Sequence, residues 1–164
     1  MPKDSSVYSH SILFICTANQ CRSPMAEVLF KDLVSRKDRG EDWNIESAGC
    51  WARPGIPATD AAILVMVNRG LDLSEHASQP VTEALLEQFD LILCMETEHK
   101  QFIQRNFPSV RENTFLLSGM VGEKREIWDP VGMSLIDYEE TANEILDILE
   151  KGFAKIIRHL SISN

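Results

Sequence analysis

Two cysteines, an asparagine, an arginine and a serine crowd into the nine residues CTANQCRSP at 16–24, directly behind the apolar run ILFI at 12–15. Five residues separate Cys16 from Arg22. That span is long enough to curl the backbone so that its N–H groups converge ahead of a helix N-terminus and form an anion nest. An arginine closing the ring would grip two oxygens of a tetrahedral phosphate as a fork. Nest, helix dipole and guanidinium together favour the thiolate of Cys16, which is the nucleophilic form. Ser23 could donate to the same sulfur and help it leave, and Asn19 suits the left-handed turn such a curl requires. The chemistry is then attack on phosphorus, with Thr17, Ala18, Asn19, Gln20, Cys21 and Arg22 cradling the phosphate. A buried strand-end cysteine, a zinc half-site or a disulfide staple would explain the same cysteines more plainly, and the C-x5-R-S spacing alone is only suggestive.

Cleaving a phosphate ester through a thiolate also needs a proton for the leaving group. The candidate is Asp129 in EIWDPVG. Pro130 restricts Asp129 to extended geometry, and the neighbouring Trp128 would lower the local polarity and favour a protonated carboxyl. Asp-Pro is also a common turn starter, so the reading depends on the Cys16 loop.

These groups need a scaffold, and strand and helix signals alternate as in a parallel α/β sheet. HSILFIC reads as a first strand buried on both faces. SPMAEVLFKDLV follows as a helix, with Ser23 as cap, Pro24 in the first position and Met25, Val28, Leu29 and Leu33 on its apolar face. WNIESAG, FDLILCM and NTFLL read as further strands; TDAAILVMVNRG, with Thr59 as cap and Gly70 as stop, and EHKQFIQRNF read as helices. One long amphipathic helix is expected over 136–160. Residues 118–134 lack periodicity, and a loop of that length in a compact domain is often functional. The sum is a four-stranded parallel sheet with helices on both faces. Ligands bind such sheets beyond the carboxyl ends of the strands, where residues 16–23 fall.

The whole chain sets bounds. Its 164 residues suffice for one domain, read as 11–164 behind a flexible lead-in at 1–10. A net charge of −9 argues against a general nucleic-acid or anionic-membrane binder. No apolar run approaches the roughly 20 residues that span a bilayer, and the polar start MPKDSSVYSH is not a signal peptide. Four cysteines without a secretion signal point to free thiols and a cytoplasmic setting, and the single C-x4-C has no second half-site for zinc.

The stretch ILFICTANQCRSPMAEVLF resembles the signature of the low-molecular-weight protein tyrosine phosphatases, and the likeness runs on through ESAG, FDLILCM and the late DP, covering nearly the whole chain. The resemblance implies a flavodoxin-like α/β three-layer fold with a four-stranded parallel sheet, no metal or other cofactor, a phosphorylated protein or peptide as substrate and inorganic phosphate as product. It implies Cys16 as nucleophile through a cysteinyl-phosphate, Arg22 as clamp, Ser23 as thiolate partner and Asp129 as acid and then base. Asn19, Ser47 and His76 match the network that braces the loop. Cys21 matches a second cysteine that many members carry; it could form a reversible disulfide with an oxidised Cys16, or simply pack the loop.

Two positions depart from the tyrosine-specific type. Gln20 stands where an apolar residue is usual, and Val131-Gly132 replaces an aromatic pair after Asp129-Pro130. Trp51 matches an aromatic at the pocket mouth, or else is a partly buried core residue. SAG with PAT, and DPVGMS, look more like the bacterial protein-arginine phosphatase branch, which usually has threonine where Gln20 stands. The substrate pocket is thus assigned to Gln20, Trp51 and Val131, with phosphotyrosine as the expected substrate and phosphoarginine as the alternative. A thiol-dependent arsenate reductase would need two further redox cysteines close together, and only Cys50 and Cys94 remain. A catalytically silent phosphate-binding module would be free to lose Cys16 or Asp129, and both are present.

Overall fold

The chain folds as described by a computed structural model that covers residues 8–37 and 42–162. Four strands, β1 (His10–Cys16), β2 (Trp43–Gly49), β3 (Leu91–Cys94) and β4 (Thr114–Leu116), form one parallel sheet in the order β2-β1-β3-β4. The helices are α1 (Arg22–Lys37), α2 (Asp60–Val67), α3 (Glu83–Leu86), α4 (Thr97–Asn106), α5 (Leu135–Lys151) and α6 (Phe153–Ile162). This is the flavodoxin-like strand order, whose ligand crevice opens where the chain leaves β1 in one direction and β3 in the other. Of the expected lead-in at 1–10, residues 1–7 lie outside the described residues. Ser9 is tied to the Asp42 carbonyl and His10 opens β1.

All seven residues of β1 are buried, and alternation sorts them between two cores. Ile12, Phe14 and Cys16 face α1 and α5, packing with Met25, Leu29, Phe30, Ile145 and Leu149. Leu13 and Ile15 face the opposite side with Cys50, Cys94, Ile103 and Phe89. In α1 the expected Met25, Leu29 and Leu33 are buried, joined by Ala26 and Phe30, while Val28 packs only at the edge of the core.

Two expectations about helices are corrected. The helix after the loop begins at Arg22, so Ser23 lies inside its first turn and its hydroxyl turns back into the loop instead of capping. The helix expected over 136–160 is two helices that meet at Gly152. A Cβ there would sit 2.8 Å from both the Met120 Cβ and the Ile148 carbonyl oxygen. The 3₁₀ turn Leu117–Val121 thus packs so closely that only glycine fits at the junction, while the amphipathic period continues across it.

Candidate active site

The pairing register places Cys16 beside Gly49, with Ile15 opposite Cys94 on the other flank. The carboxyl ends of three strands therefore deliver residues 16–22, 49–51 and 95–99 to one place. Gly49 is needed for this approach. A Cβ would fall 2.6 Å from the Thr17 carbonyl oxygen and 2.9 Å from the Asn19 nitrogen, so any larger residue would push the loop outward. The backbone N–H groups of Cys50 and Trp51 then donate to the carbonyls of Cys16 and Thr17, stitching the loop to the end of β2.

Asn19 is the single non-glycine residue with positive φ among those described, at 57°, as the curl demands. Its fully buried side chain directs the loop's hydrogen bonds. Nδ2 donates to Ser23 Oγ and to Ser47 Oγ, both at 2.9 Å, and Oδ1 accepts from the Gln79 N–H at 3.0 Å. Its carbonyl accepts from His76 Nε2 at 2.7 Å. The Ser47 hydroxyl in turn donates to Glu27 Oε1 at 2.9 Å. Because Ser23 Oγ accepts from Asn19, its hydrogen is free to point at Cys16 Sγ, 2.9 Å away, and the alternative acceptor, the Ala48 carbonyl, is distant at 3.4 Å. A hydroxyl donated to sulfur stabilises the thiolate and the leaving sulfur alike. Around this frame the N–H groups of Ala18, Asn19, Gln20 and Ser23 have no acceptor among the described residues. Such orphaned donors at a helix N-terminus form an anion site.

Arg22 is 1% exposed. Burial works against its charge, but Cys16, Glu96 and Asp129 outweigh that and hold its pKa above the ordinary value. Nη1 is committed to Glu96 Oε2 at 2.7 Å and to the Ile127 carbonyl at 2.8 Å. Nη2 donates to Thr17 Oγ1 at 3.2 Å and lies 3.5 Å from Asp129 Oδ2. Buried Nε has no partner among the described residues. The edge left for a ligand is therefore the Nε–Nη2 side of the guanidinium, the geometry of a fork on two phosphate oxygens. Ile127 is fully buried and pinned at both backbone groups, to the Met95 carbonyl and to Arg22, which aims Asp129 at the loop. Trp128 is 85% exposed, so it does not lower the polarity around Asp129 as its place in the sequence suggested.

Sequence reasoning missed Glu96 and His99, which follow β3 in CMETEH; the i, i+3 spacing at a helix start was the available signal. The Glu96 N–H donates to His99 Nδ1 at 3.1 Å, and His99 Nε2 lies 2.8 Å from Thr17 Oγ1. Burial, with Arg22 adding repulsion, lowers the His99 pKa to about 4. An unfolded histidine titrates near 6.5. Between those values the unfolded chain takes up a proton that the folded protein refuses, so stability falls as pH drops from about 6.5 to about 4 and is intact above. On the order of 3 kcal/mol is at stake. Denaturant midpoints at pH 7 and pH 4.5 should fall much further apart in the native protein than in His99→Gln.

Burial, then Cys16 and Asp129, push the Cys21 thiol well up, and its sulfur lies 3.5 Å from Asp129 Oδ1. Burial likewise raises Cys50 to about 12 and holds Cys94 well above the ordinary thiol value. Both lie in the core cluster on the face opposite Cys16. Trp51 is half-exposed, resting on Phe102 with ring centroids 5.2 Å apart. Gln20 is partly exposed and Val131 exposed, the latter donating its N–H to Asp129 Oδ1. A groove of about 940 Å³ is lined by Glu96, Asp129 and Trp128 together with Lys124, Glu126 and Glu144; Cys16, Gln20, Arg22, Trp51 and Val131 do not line it.

The family model for low molecular weight phosphotyrosine protein phosphatases matches residues 11–161. A protein-arginine-phosphatase of Bacillus subtilis is 40% identical over 141 residues, 85% of this chain and 92% of that one. The low molecular weight protein-tyrosine-phosphatase Etp of Escherichia coli is 33% identical over 152 residues, 93% of this chain and 95% of that one. Among solved structures, a mutant of the YwlE arginine phosphatase with a phosphorylated active-site serine superposes with a TM-score of 0.83 at 38% identity, covering 90% of this chain and 95% of that one.

Proposed function

This chain belongs to the low molecular weight phosphotyrosine protein phosphatase family, and on that footing we propose that Cys16 carries the phosphoryl group from a phosphorylated tyrosine side chain to water. That the chain is a hydrolase of phosphorylated protein side chains follows from the family; the residue roles are the proposal. The observation that supports them is the set of orphaned donors around Cys16: buried Arg22 Nε and the loop N–H groups, without acceptors among the described residues, beside a sulfur that already receives the Ser23 hydroxyl.

In the first step the Cys16 sulfur attacks phosphorus. The P–O bond to the substrate breaks, and Asp129 gives its proton to the leaving oxygen. The phosphoryl group displaces Asp129 from Arg22 Nη2 and leaves its carboxyl beside the leaving oxygen. In the second step Asp129, now a carboxylate, takes a proton from the water that attacks the cysteinyl-phosphate. The S–P bond breaks, inorganic phosphate leaves and Ser23 steadies the departing sulfur. A phosphorylated active-site serine in a related mutant is consistent with a covalent route. Cys21 is assigned as the resolving thiol: peroxide would convert Cys16 to a sulfenic acid, and the two would condense to a disulfide with loss of water. Four free cysteines fit a cytoplasmic location.

Trp51 supports the tyrosine reading, since a half-exposed indole resting on Phe102 offers a face to a phenyl ring. A second reading, phosphoarginine, is favoured by the 40% identical relative and by polar Gln20. Arsenate reduction is disfavoured because Cys50 and Cys94 are buried thiols on the far face of the sheet. The test is initial rates on phosphotyrosine and phosphoarginine peptides of matched sequence, native against Asp129→Asn. Faster phosphotyrosine hydrolysis is expected, with Asp129→Asn slowing phosphotyrosine about 10²–10⁴-fold and an activated aryl phosphate far less. Faster phosphoarginine hydrolysis would transfer the assignment to the second reading, and equal slowing of both esters would remove Asp129 as the acid.

A further inference from the structure

Thr17, the second residue of the loop, carries a hydroxyl whose bonding can be counted atom by atom. Its Oγ1 lies 2.8 Å from His99 Nε2 and 3.2 Å from Arg22 Nη2. Both directions are fixed. The Glu96 N–H, 3.1 Å from His99 Nδ1, is a donor only, so Nδ1 is the bare nitrogen and Nε2 bears the ring proton. The reverse tautomer would set two N–H groups against each other. A guanidinium nitrogen also only donates. Thr17 Oγ1 therefore accepts twice, which fills both lone pairs, and its own hydrogen must point elsewhere. No acceptor for it is found among the described residues.

Rotation about the Cβ–Oγ bond would ordinarily scatter that hydrogen. Here two donors fix it, one from the fully buried His99 ring and one from the Arg22 nitrogen at the edge of the phosphate fork. His99 holds this orientation across the neutral range, because its ring stays in the single-donor form until about pH 4. His99 Nε2 also lies 3.4 Å from Glu96 Oε2, a second and weaker acceptor that keeps the proton on the same nitrogen.

We propose that the Thr17 hydroxyl donates to a phosphoryl oxygen beside Arg22 Nη2, and that His99 is the positioning residue that aims it there. The anion site thus gains a side-chain donor in addition to its backbone N–H groups and the guanidinium. The inference rests on the phosphatase reading of the loop.

The test compares native protein with Thr17→Val, Thr17→Ser, His99→Leu, His99→Gln and the Thr17→Val/His99→Leu double variant. Binding of inorganic phosphate is read by calorimetry, kcat and KM on an aryl phosphate in parallel, and thermal midpoints for every variant. Loss of one hydrogen bond to a charged oxygen weakens phosphate binding about 10- to 100-fold in Thr17→Val and lowers kcat/KM to match. Thr17→Ser recovers most of that loss. His99→Leu reproduces it in part, His99→Gln, whose amide nitrogen reaches the Nε2 position, restores it, and the double variant is no weaker than Thr17→Val alone. Phosphate binding in Thr17→Val within twofold of native, or losses in the double variant that multiply, would overturn the proposal. So would a fall in affinity that simply tracks the thermal midpoint. Absence of turnover in the native protein would sink the phosphatase reading instead, and the calorimetric arm would still decide the role of Thr17.

Discussion

A Cys16→Ser variant is expected to lose at least about 10⁴-fold in kcat on a phosphorylated peptide while still binding inorganic phosphate. The change exchanges sulfur for oxygen and little else. The Ser23 hydroxyl, the Asn19 scaffold and the Nε–Nη2 edge of Arg22 do not depend on the sulfur. A serine hydroxyl, however, is a far weaker nucleophile than a cysteine sulfur, so the attacking group is lost while the anion site is kept. Phosphate binding by calorimetry and single-turnover release of phosphate measure the two halves separately. Turnover within tenfold of native would remove Cys16 as nucleophile. Loss of both turnover and phosphate binding would mean that the sulfur holds the loop's shape, and the roles proposed for its neighbours would have to be rebuilt.

The parts of this site that could be read from sequence are those carried by local geometry. From Cys16 to Ser23 the chain is contiguous, sits between a buried strand and a helix, and has few ways to arrange a nest and an arginine other than the one observed. Asn19 was legible for the same reason, since a left-handed turn selects its residue type, and its φ is 57°. Residues brought from a distance were harder. Ser47 and His76 entered through family likeness, and the structure places both on Asn19, one on its side chain and one on its carbonyl. Glu96 and His99 were missed because nothing in CMETEH states that β3 will lie beside β1; that is a property of the sheet order. Trp128 shows the converse error. It is the sequence neighbour of Asp129, yet Ile127 takes the buried position and successive side chains point apart, so the indole goes to solvent. Gly152 failed for a related reason: an amphipathic period reports which face is buried, and a junction at a glycine packed against Met120 leaves that period intact.

Arg22→Lys carries the second large expected effect, because one guanidinium joins three parts of the site. Nη1 ties the end of β3 to the acid loop through Glu96 and the Ile127 carbonyl, Nη2 reaches Thr17, and Nε with Nη2 faces the anion. A lysine brings a single nitrogen and cannot satisfy these demands together. If it stays with Glu96, the substrate loses the fork; if it turns to the phosphate, Ile127 loses the anchor that aims Asp129. Either way kcat/KM should fall by about 10³-fold or more, close to the 4 kcal/mol associated with removing a donor aimed at transition-state charge. Stability should fall by a smaller amount, about 1–3 kcal/mol for buried partners left unmatched. The slope of rate against leaving-group acidity separates the two routes: it stays native if only the fork is lost and steepens if Asp129 is displaced. Retention of more than a tenth of native kcat/KM, with a large drop in the urea midpoint, would make Arg22 a structural tie instead of a clamp, and phosphate recognition would then rest on the loop N–H groups and Thr17.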